Sequence, residues 1–356
     1  MKNKTICGIQ QVGIGVSNVK EAWKWYRKNF GVDIRIFEEK AIADLMLPYT
    51  GGKPQNRHAA LAMNLQGGGG FEIWQYTTRE PQPPSFKLSI GDLGIFAAKI
   101  KCKDVRETYK TYKKRGLDIG DIQKDPRGTE YFVVRDPFGN TFQMVNGTAW
   151  FRNERKLTGA AYGAIIGVSD IDKAKEVYSG ILDYDEIIYD KTDTFDDFNA
   201  LGGKDYTFRR TLLKHSRQRR GGFSRLFGPS QIELVQVMDR EPNKIYQDRY
   251  WGDLGFIHLC YDVRGIKALR EECKTKGFPF TVDSITKHDN TFDMGEAAGH
   301  FAYIEDPDGT LIEFVETHKI ALVKKLGWYL HMKNRKPEKD LPSWIFWAMS
   351  MNRIKD

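Results

Sequence analysis

The chain has 356 residues, of which 40% are hydrophobic and 29% charged, a balance typical of a globular protein long enough for about two domains. No run of about 18 apolar residues is present, which excludes a membrane-spanning helix. The net charge is +8, but the segment from Lys319 onward carries +6 of it. The rest of the chain is therefore near neutral, and we expect no broad basic face for nucleic acid.

The residues at the start of the chain and the spacing of the cysteines favour a cytoplasmic location. Met1 to Thr5 is polar and leads into a strand-like segment, so we expect no signal peptide. The four cysteines, at positions 7, 102, 260 and 273, show no C-x-x-C spacing. These features predict reduced thiols and a cytoplasmic protein.

Three short motifs occur twice, which indicates an internal repeat. Their offsets are 161, 170 and 152 residues, so the chain consists of two copies of a unit of roughly 150 to 160 residues. The motif pairs are Gly91-Asp92-Leu93-Gly94 with Gly252-Asp253-Leu254-Gly255, Asp136-Pro137-Phe138-Gly139 with Asp306-Pro307-Asp308-Gly309, and Val16-Ser17-Asn18 with Val168-Ser169-Asp170.

Each copy divides again into two modules, and every module is predicted to be a strand, a helix and several further strands. The first copy has predicted strands at Ile9–Val16, Phe71–Trp74, Ile95–Ile100, Tyr131–Arg135 and Thr141–Val145, with helices from Asn18 to Gly31 and from Asp104 to Gly116. The second has predicted strands at Ala164–Val168, Gln231–Val237, Phe256–Tyr261 and Leu311–Val315, with helices from Asp170 to about Gly180 and one ending at Gly277.

This pattern resembles the vicinal oxygen chelate superfamily, which includes glyoxalase I, methylmalonyl-CoA epimerase, extradiol dioxygenases and bleomycin-resistance proteins. The resemblance covers about residues 6–318 and rests on the module rhythm and the Asp-Pro-x-Gly turn before the last strand of each copy. It implies an α+β fold of four paired βαβββ modules forming two open-barrel domains, plus a C-terminal helical tail. The implied boundaries are 1–150, 151–318 and 319–356.

The resemblance also implies a metal held by the first and last strands of two paired modules. In the N-terminal half these positions fall on Gln11, Glu72, Ala97 and Gln143. Alanine cannot bind a metal and neutral amides are weak ligands. We therefore expect this half to be metal-free.

In the C-terminal half the same positions fall on Gly163, Glu233, His258 and Glu313. Imidazole and carboxylates suit a divalent zinc, iron, nickel or manganese ion. Glu313 is the expected firm ligand, and Glu233 is both a ligand and the expected proton-transfer group. Gly163 offers no side chain, so a water or substrate oxygen would have to take that place.

The residues point to a site independently of the resemblance. Glu233, His258 and Glu313 each lie in an otherwise apolar strand, where a charge is costly unless something pairs with it. A single histidine of this kind is more often a core residue, and a single glutamate more often lies at a sheet edge. Three together favour a metal site or a shared catalytic cluster.

Three functions remain open at this stage. A metal-dependent isomerase or lyase of the glyoxalase or epimerase kind would chelate adjacent oxygens of a small substrate and transfer a proton next to a carbonyl. An extradiol dioxygenase is the alternative suggested by the sequence from Tyr303 to Glu313, but Gly163 stands where that chemistry needs a histidine. A metal-free small-molecule binding protein is the third.

Two further segments have competing interpretations. The arginines between Arg209 and Arg225 form either a solvated hairpin or an anion clamp. The aromatic segment 343–349 forms either a helix packed on the body or an interfacial helix that makes peripheral membrane contact. A monomer or a homodimer is expected, because four modules in one chain need no second copy.

Overall fold

The computed structural model describes residues 4–287, 292–293, 297–323 and 326–355. The first module contains β1 (Thr5–Gly15), α1 (Val19–Phe30), β2 (Ile34–Ala43), β3 (Gln55–Met63) and β4 (Gly70–Tyr76). The second contains β5 (Gly94–Cys102), α2 (Val105–Lys114), β6 (Asp118–Ile119), β7 (Gln123–Lys124), β8 (Glu130–Arg135) and β9 (Thr141–Asn146).

The third module contains β10 (Thr158–Gly167), α3 (Ile171–Tyr178), β11 (Glu186–Thr194), β12 (Thr207–Lys214), α4 (Ser224–Phe227) and β13 (Gln231–Val237). The fourth contains β14 (Gly255–Arg264), α5 (Ile266–Thr275), β15 (Val282–Asp283), α6 (Ser284–Lys287), β16 (Phe292–Asp293), β17 (Ala297–Glu305) and β18 (Leu311–Val323). The tail adds β19 (Trp328–His331) and α7 (Ser343–Met349). The predicted α+β fold of four modules and a helical tail is confirmed.

Helices α1, α2 and α3 begin where capping residues were predicted. The Asn18 side chain accepts hydrogen bonds from the backbone N–H groups of Lys20 and Glu21, and Asp104 and Asp170 cap α2 and α3 in the same way. Each cap satisfies N–H groups that have no partner within the helix. Gly31 ends α1 in the left-handed conformation, with φ of 63°.

The strands form two curled sheets. The first has the order β15-β17-β18-β14-β1-β4-β3-β2, and the second has the order β11-β12-β13-β10-β5-β9-β8-β6. Module one therefore shares a sheet with module four, and module two with module three. Modules one and two do not share a sheet, nor do modules three and four, and the boundaries 1–150 and 151–318 do not coincide with the sheets.

The two linkers between sheets contain the Gly-Asp-Leu-Gly repeats. Asp92 is fully buried and pairs with Arg240 at 2.8 Å. Asp253 is also fully buried and pairs with Arg79 at 2.5 Å. Each aspartate thus forms an ion pair with an arginine of the other linker. The two linkers, which connect one sheet to the other, are therefore held together.

Consecutive modules still contact one another through their helices and turns. The Tyr26 hydroxyl of α1 donates to Asp136 at 2.6 Å, and the Tyr178 hydroxyl of α3 donates to Asp306 at 2.9 Å. Both aspartates begin the predicted Asp-Pro turns. One large apolar core includes residues of α1, α2, α3 and α5 together with strands of both sheets.

The tail helix α7 packs on the body, as one of the two interpretations predicted. Its buried face consists of Ile345, Phe346, Ala348 and Met349, and the Phe346 ring lies 4.6 Å from that of Phe151. The two tryptophans of the helix are exposed, at 57% for Trp344 and 62% for Trp347. In the part of the chain that the structure describes, no helix is long and apolar enough to cross a membrane.

The arginines between Arg209 and Arg225 do not form a common anion clamp. Arg209 pairs with Asp172 and Asp190 at 2.6 and 2.8 Å, and Arg219 pairs with Asp183 at 3.0 Å. Because Arg209 and Arg219 are already paired with carboxylates, these two are not available for a joint anion site.

Candidate metal centre

Four neighbouring strands at the centre of the first sheet bring four polar side chains together. In β1 and β4, Gly13 is the partner of Glu72, and Gln11 lies two residues before Gly13. In β14 and β18, Cys260 is the partner of Glu313, and His258 lies two residues before Cys260. Residues two apart on a strand share a face, so both strand pairs present their polar side chains in the same way.

The side chains are close enough to share one ion. His258 Nε2 lies 3.1 Å from Glu313 Oε2 and 3.4 Å from Glu72 Oε2. Gln11 Nε2 donates to Glu72 Oε2 at 3.1 Å and to Glu313 Oε2 at 3.4 Å. Ligand atoms of His258 and of the two glutamates all lie within 4.8 Å of one another.

Burial and unmatched polar atoms show that these residues fit a metal ion. His258 is fully buried, and Gln11, Glu313 and Glu72 are exposed by only 4%, 6% and 9%. His258 Nδ1 and Gln11 Oε1 are buried without a hydrogen-bond partner among the described residues. Buried polar groups are normally satisfied. Two carboxylates, an imidazole and an amide oxygen together are a donor set for a divalent transition ion.

The electrostatics of the cluster favour a positive charge at its centre. Burial alone would lower the pKa of His258, but the attraction of Glu313 and Glu72 outweighs it and raises the pKa to about 9. The metal-free imidazole is therefore protonated at neutral pH. Because a histidine ligand must be neutral, metal binding at this site has to release a proton.

Gly13 makes room for the histidine. A Cβ atom at this position would lie 2.5 Å from His258 Cε1 and 2.7 Å from each ring nitrogen. No real Cβ atom tolerates such distances, so the imidazole can take its place only against a glycine. Gly13 thereby supports the cluster without offering a ligand atom itself.

Replacing Gly13 by alanine should displace the imidazole and weaken metal binding by about 10- to 100-fold, the range found when residues that orient a ligand are changed. We expect destabilisation of only ~1–3 kcal/mol, because the ring can move. The measurement is a metal titration beside thermal unfolding. Gly222→Ala is the matched control, because its Cβ would overlap only with the flexible end of Met332, at 2.5 Å, and would make an ordinary contact with Leu341 at 3.4 Å. Unchanged metal affinity in Gly13→Ala would contradict the assignment.

A largely apolar cavity opens above the cluster. Counted to its open mouth it encloses about 1160 Å³. Trp251 lies parallel to the His258 ring with centroids 6.2 Å apart, and Tyr303 stands perpendicular to it at 5.6 Å. The remaining apolar wall comes from β2, β3, the α4 region and α7, and includes Ile36, Phe37, Leu61, Met63, Phe223, Leu226, Phe227 and Met349.

Arg57 is the cation on this cavity wall. Its Nη2 atom donates to Glu39 at 2.5 Å, while its buried Nη1 atom has no hydrogen-bond partner among the described residues. The cavity therefore offers an apolar volume, two carboxylates at the metal cluster and one guanidinium nitrogen free to donate.

Glu233, one of the predicted ligands, does not join this cluster. It lies in the second sheet, where its carboxylate accepts from Lys99 at 2.7 Å and from Arg210 at 2.7 Å. Burial would raise the pKa of Glu233, but Lys99 and Arg210 hold it well below the usual range. The prediction that Glu233 shares a site with His258 and Glu313 is wrong, because β13 and β14 belong to different sheets.

The second sheet repeats the geometry of the first, but only Glu233 keeps the residue type of the matching position, that of Glu72. Gly163 and Ala97 occupy the positions of Gln11 and His258 by the same two-residue offset. The Lys99 ammonium donates to Gln143 at 2.5 Å as well as to Glu233. A lysine cation thus stands among residues that correspond to the candidate metal ligands of the first sheet. Phe198 and Leu201 belong to the apolar cluster that packs there.

Sequence reasoning missed Gln11 and Glu72 as members of the cluster with His258. Both were identified as ligand positions, but they were assigned to a metal-free N-terminal half. The local signal was present, since Glu72 lies in the apolar run Phe71-Glu72-Ile73-Trp74 as Glu313 lies in its own. Only the pairing of module one with module four brings the four residues together.

Comparisons with known proteins agree with this architecture. Two family models, both described as the Glyoxalase/Bleomycin resistance protein/Dioxygenase superfamily, match residues 8–144 and 164–295. A comparison with curated proteins gave no match.

Solved structures show the same fold. A mutant of glyoxalase I from Zea mays is similar with a TM-score of 0.54 at 15% identity, over 88% of this chain and 94% of that one. A Bacillus subtilis protein described as a dioxygenase has a TM-score of 0.53 at 12% identity, over 88% and 86% of the two chains. The family matches together cover well over half of the 356 residues, and the chain therefore belongs to the glyoxalase/bleomycin resistance protein/dioxygenase superfamily, with two of its domains in one polypeptide.

Proposed function

We propose that the protein is a metal-dependent isomerase or lyase of the glyoxalase type, which moves a proton next to a carbonyl group of a small substrate. The observation that carries the proposal is the convergence of Gln11, Glu72, His258 and Glu313 at the base of one cavity. These four residues would hold zinc, iron, nickel or manganese. When bound, such an ion supplies a Lewis acid for two adjacent substrate oxygens.

The two carboxylates supply the proton chemistry. Glu72 and Glu313 both border the cavity, so a substrate carbon there lies within reach of one of them. A carboxylate that takes the proton from a carbon next to a carbonyl leaves the electron pair to delocalise into that carbonyl. Delivering a proton to the opposite face of the same carbon gives an epimer, and delivering it to the neighbouring carbon gives an isomer.

The cavity wall would assist by excluding water and positioning the substrate. Trp251 and Tyr303 flank the His258 ring, and burial, with Glu313 and Glu72 adding to it, raises the pKa of the Tyr303 hydroxyl well above its usual range. Tyr303 therefore stays neutral and does not compete for the proton. The unmatched Nη1 of Arg57 suits an acidic or carbonyl group at the far end of the substrate.

The donor set disfavours the dioxygenase alternative. Non-haem iron oxygenases commonly hold their iron with two histidines and one carboxylate. Among the described residues, the cluster holds one histidine and two glutamates. Proton transfer needs a carboxylate that can leave the ion, and this cluster has two carboxylates, either of which could do so while the other stays bound.

A test that needs no knowledge of the substrate uses cobalt-substituted protein and acetohydroxamate, which offers two adjacent oxygens. We expect acetohydroxamate to change the visible cobalt spectrum of the parent. We then expect a panel of α-hydroxycarbonyl compounds in heavy water to lose an α-proton signal in the NMR spectrum. Glu72→Gln and Glu313→Gln should separate the roles, because one variant should keep metal and lose exchange.

Other results would decide against the proposal. A cobalt spectrum unchanged by acetohydroxamate would rule out chelation of adjacent oxygens. Oxygen uptake with a catechol would establish the dioxygenase instead. Tight binding of apolar ligands by a protein that takes up none of the metals would favour a binding protein.

A further inference from the structure

A second cavity lies at the junction of the two sheets and belongs to no part of the site described above. Counted to its open mouth it encloses about 1430 Å³, and it shares no lining residue with the cavity over the metal centre. Its walls come from the linker 83–88, the first residues of β5 and β14, the Asp-Pro turn of module two and the segments 199–202 and 245–254.

The charges that line this cavity are all of one sign. Lys87, Arg135 and Arg249 contribute to the wall, and no aspartate or glutamate does. Arg135 has only a distant carboxylate, with Asp118 at 3.7 Å, and both side chains are exposed. Among the described residues no ion pair with Lys87 is found within 4 Å. A cavity bounded by one sign of charge concentrates ions of the opposite sign.

Arg249 is the central feature because it is a partly buried cation without a carboxylate partner in the described part of the chain. Its guanidinium donates only to backbone carbonyls, those of Ile245, Gln82 at 3.1 Å and Leu254 at 2.7 Å. Burial lowers the pKa of Arg249, against the weaker influence of Tyr246 and Asp253. A buried cation that is not neutralised is costly, and an anion in the cavity would offset that cost.

The remaining wall is aromatic and aliphatic. The aromatic part consists of four phenylalanines, Phe86, Phe96, Phe138 and Phe256. The aliphatic part includes Leu88, Ile95, Ile245 and Leu254. Ligand sites commonly combine an apolar wall with a few polar groups that set orientation. The polar groups here are cations, and the apolar wall suits a flat ring.

We propose that this junction cavity binds a small aromatic carboxylate, with its ring among the phenylalanines and its carboxylate near Arg249 and Lys87. Four of the five guanidinium N–H groups of Arg249 already donate to backbone carbonyls, so Arg249 would hold the carboxylate by its charge and its remaining N–H. The site is separate from the metal centre, so its ligand need not be the substrate. The segment 245–254 carries Arg249 into this cavity and Trp251 into the other one.

The experiment is isothermal titration of metal-free protein with naphthalene-2-carboxylate, beside its neutral isostere naphthalene-2-carboxamide. We expect the carboxylate to bind and the amide to bind about tenfold more weakly, because a charge-assisted hydrogen bond is lost. Lys87→Glu and Arg249→Gln should each weaken carboxylate binding by a similar factor. Ala200→Trp should also weaken it, because this exposed lining residue would then fill the mouth without changing any charge.

Two controls locate the binding. His258→Ala should leave the affinity unchanged, which separates this site from the metal centre. Arg220→Gln removes an exposed arginine whose nearest carboxylate, on Glu338, is 3.7 Å away, and it should also have no effect. Equal binding of carboxylate and carboxamide, binding that is lost in His258→Ala, or no binding by the parent up to the solubility of the probe would each overturn the proposal.

Discussion

Replacing His258 by alanine is expected to abolish stoichiometric metal binding. His258 supplies the nitrogen donor of the cluster and lies between the two glutamates, at 3.1 and 3.4 Å. Its loss leaves two buried carboxylates and an amide, which bind first-row transition ions weakly. Changing a residue that only orients a ligand lowers metal affinity by up to ~100-fold. Because His258 would itself be a ligand, we expect its loss to lower the affinity by at least that factor.

The measurement is elemental analysis of protein purified without a histidine tag and reconstituted in turn with zinc, iron, nickel and manganese. The parent should hold about one ion per chain, as one four-residue cluster allows. His215→Ala is the matched control, because His215 is a partly buried histidine that donates to the Leu182 carbonyl, 3.0 Å away, far from the cluster in sequence. It should keep its metal.

Glu233→Gln extends the test to the residue that the sequence wrongly grouped with His258. Because Glu233 lies in the other sheet and is bound by Lys99 and Arg210, its amide variant should keep the parent's metal content. Loss of metal in Glu233→Gln, or full retention in His258→Ala, would contradict the site described here.

The sequence predicted the modules well because their signals are local. Asn18, Asp104 and Asp170 begin helices by capping their first N–H groups, and capping depends only on residues a few positions apart. The candidate ligand positions followed from the family resemblance, and the structure shows the same two-residue register offset between first and last strand in all four modules.

The pairing of modules could not be predicted because it depends on long-range contacts. The first strands of all four modules are similar apolar segments, and nothing local states that β1 pairs with β14 while β10 pairs with β5. A repeat shows that modules pair but leaves the choice of partner open. The choice of consecutive modules therefore separated Glu72 from His258 and grouped Glu233 with it, whereas the structure does the opposite.

The buried face of the tail helix α7 also could not be predicted from local sequence. A helix with aromatic residues on several faces could have packed with its tryptophans inward. The structure instead buries Ile345 and Phe346 and leaves Trp344 and Trp347 exposed. The choice depends on the complementary surface of Phe151 and Phe223, which lie far away in sequence and so cannot be identified from the tail alone.

Lys99 gave a signal that sequence reasoning overlooked. It lies two residues after Ala97 in an apolar strand, so it shares the inner face with a ligand position. Its partner Glu233 is 134 residues away. A lysine and a glutamate on matching inner faces of two modules indicate a buried ion pair, which replaces a metal ion by a fixed cation of the chain.

Replacing Lys99 by methionine should therefore destabilise the protein strongly while leaving metal binding unchanged. Lys99 and Glu233 are exposed by only 4% and 1% as side chains, with 2.7 Å between Nζ and Oε2. Removing one partner of a buried pair leaves the other charge uncompensated, at a cost of about 3–5 kcal/mol. Arg210 still donates to Glu233, so we expect a value near the lower end.

The free energy of unfolding in urea measures this effect, with Lys103→Met as the control. Lys103 is an exposed lysine of the same module that donates to Asn153 at 2.6 Å, and its loss should change stability by less than ~0.5 kcal/mol. The double variant Lys99→Met with Glu233→Gln should lose less free energy of unfolding than the two single variants lose together, because neither buried charge of the pair is left without its partner. A single Lys99→Met variant as stable as the parent would show that the ammonium does not take the place of a metal in the second sheet.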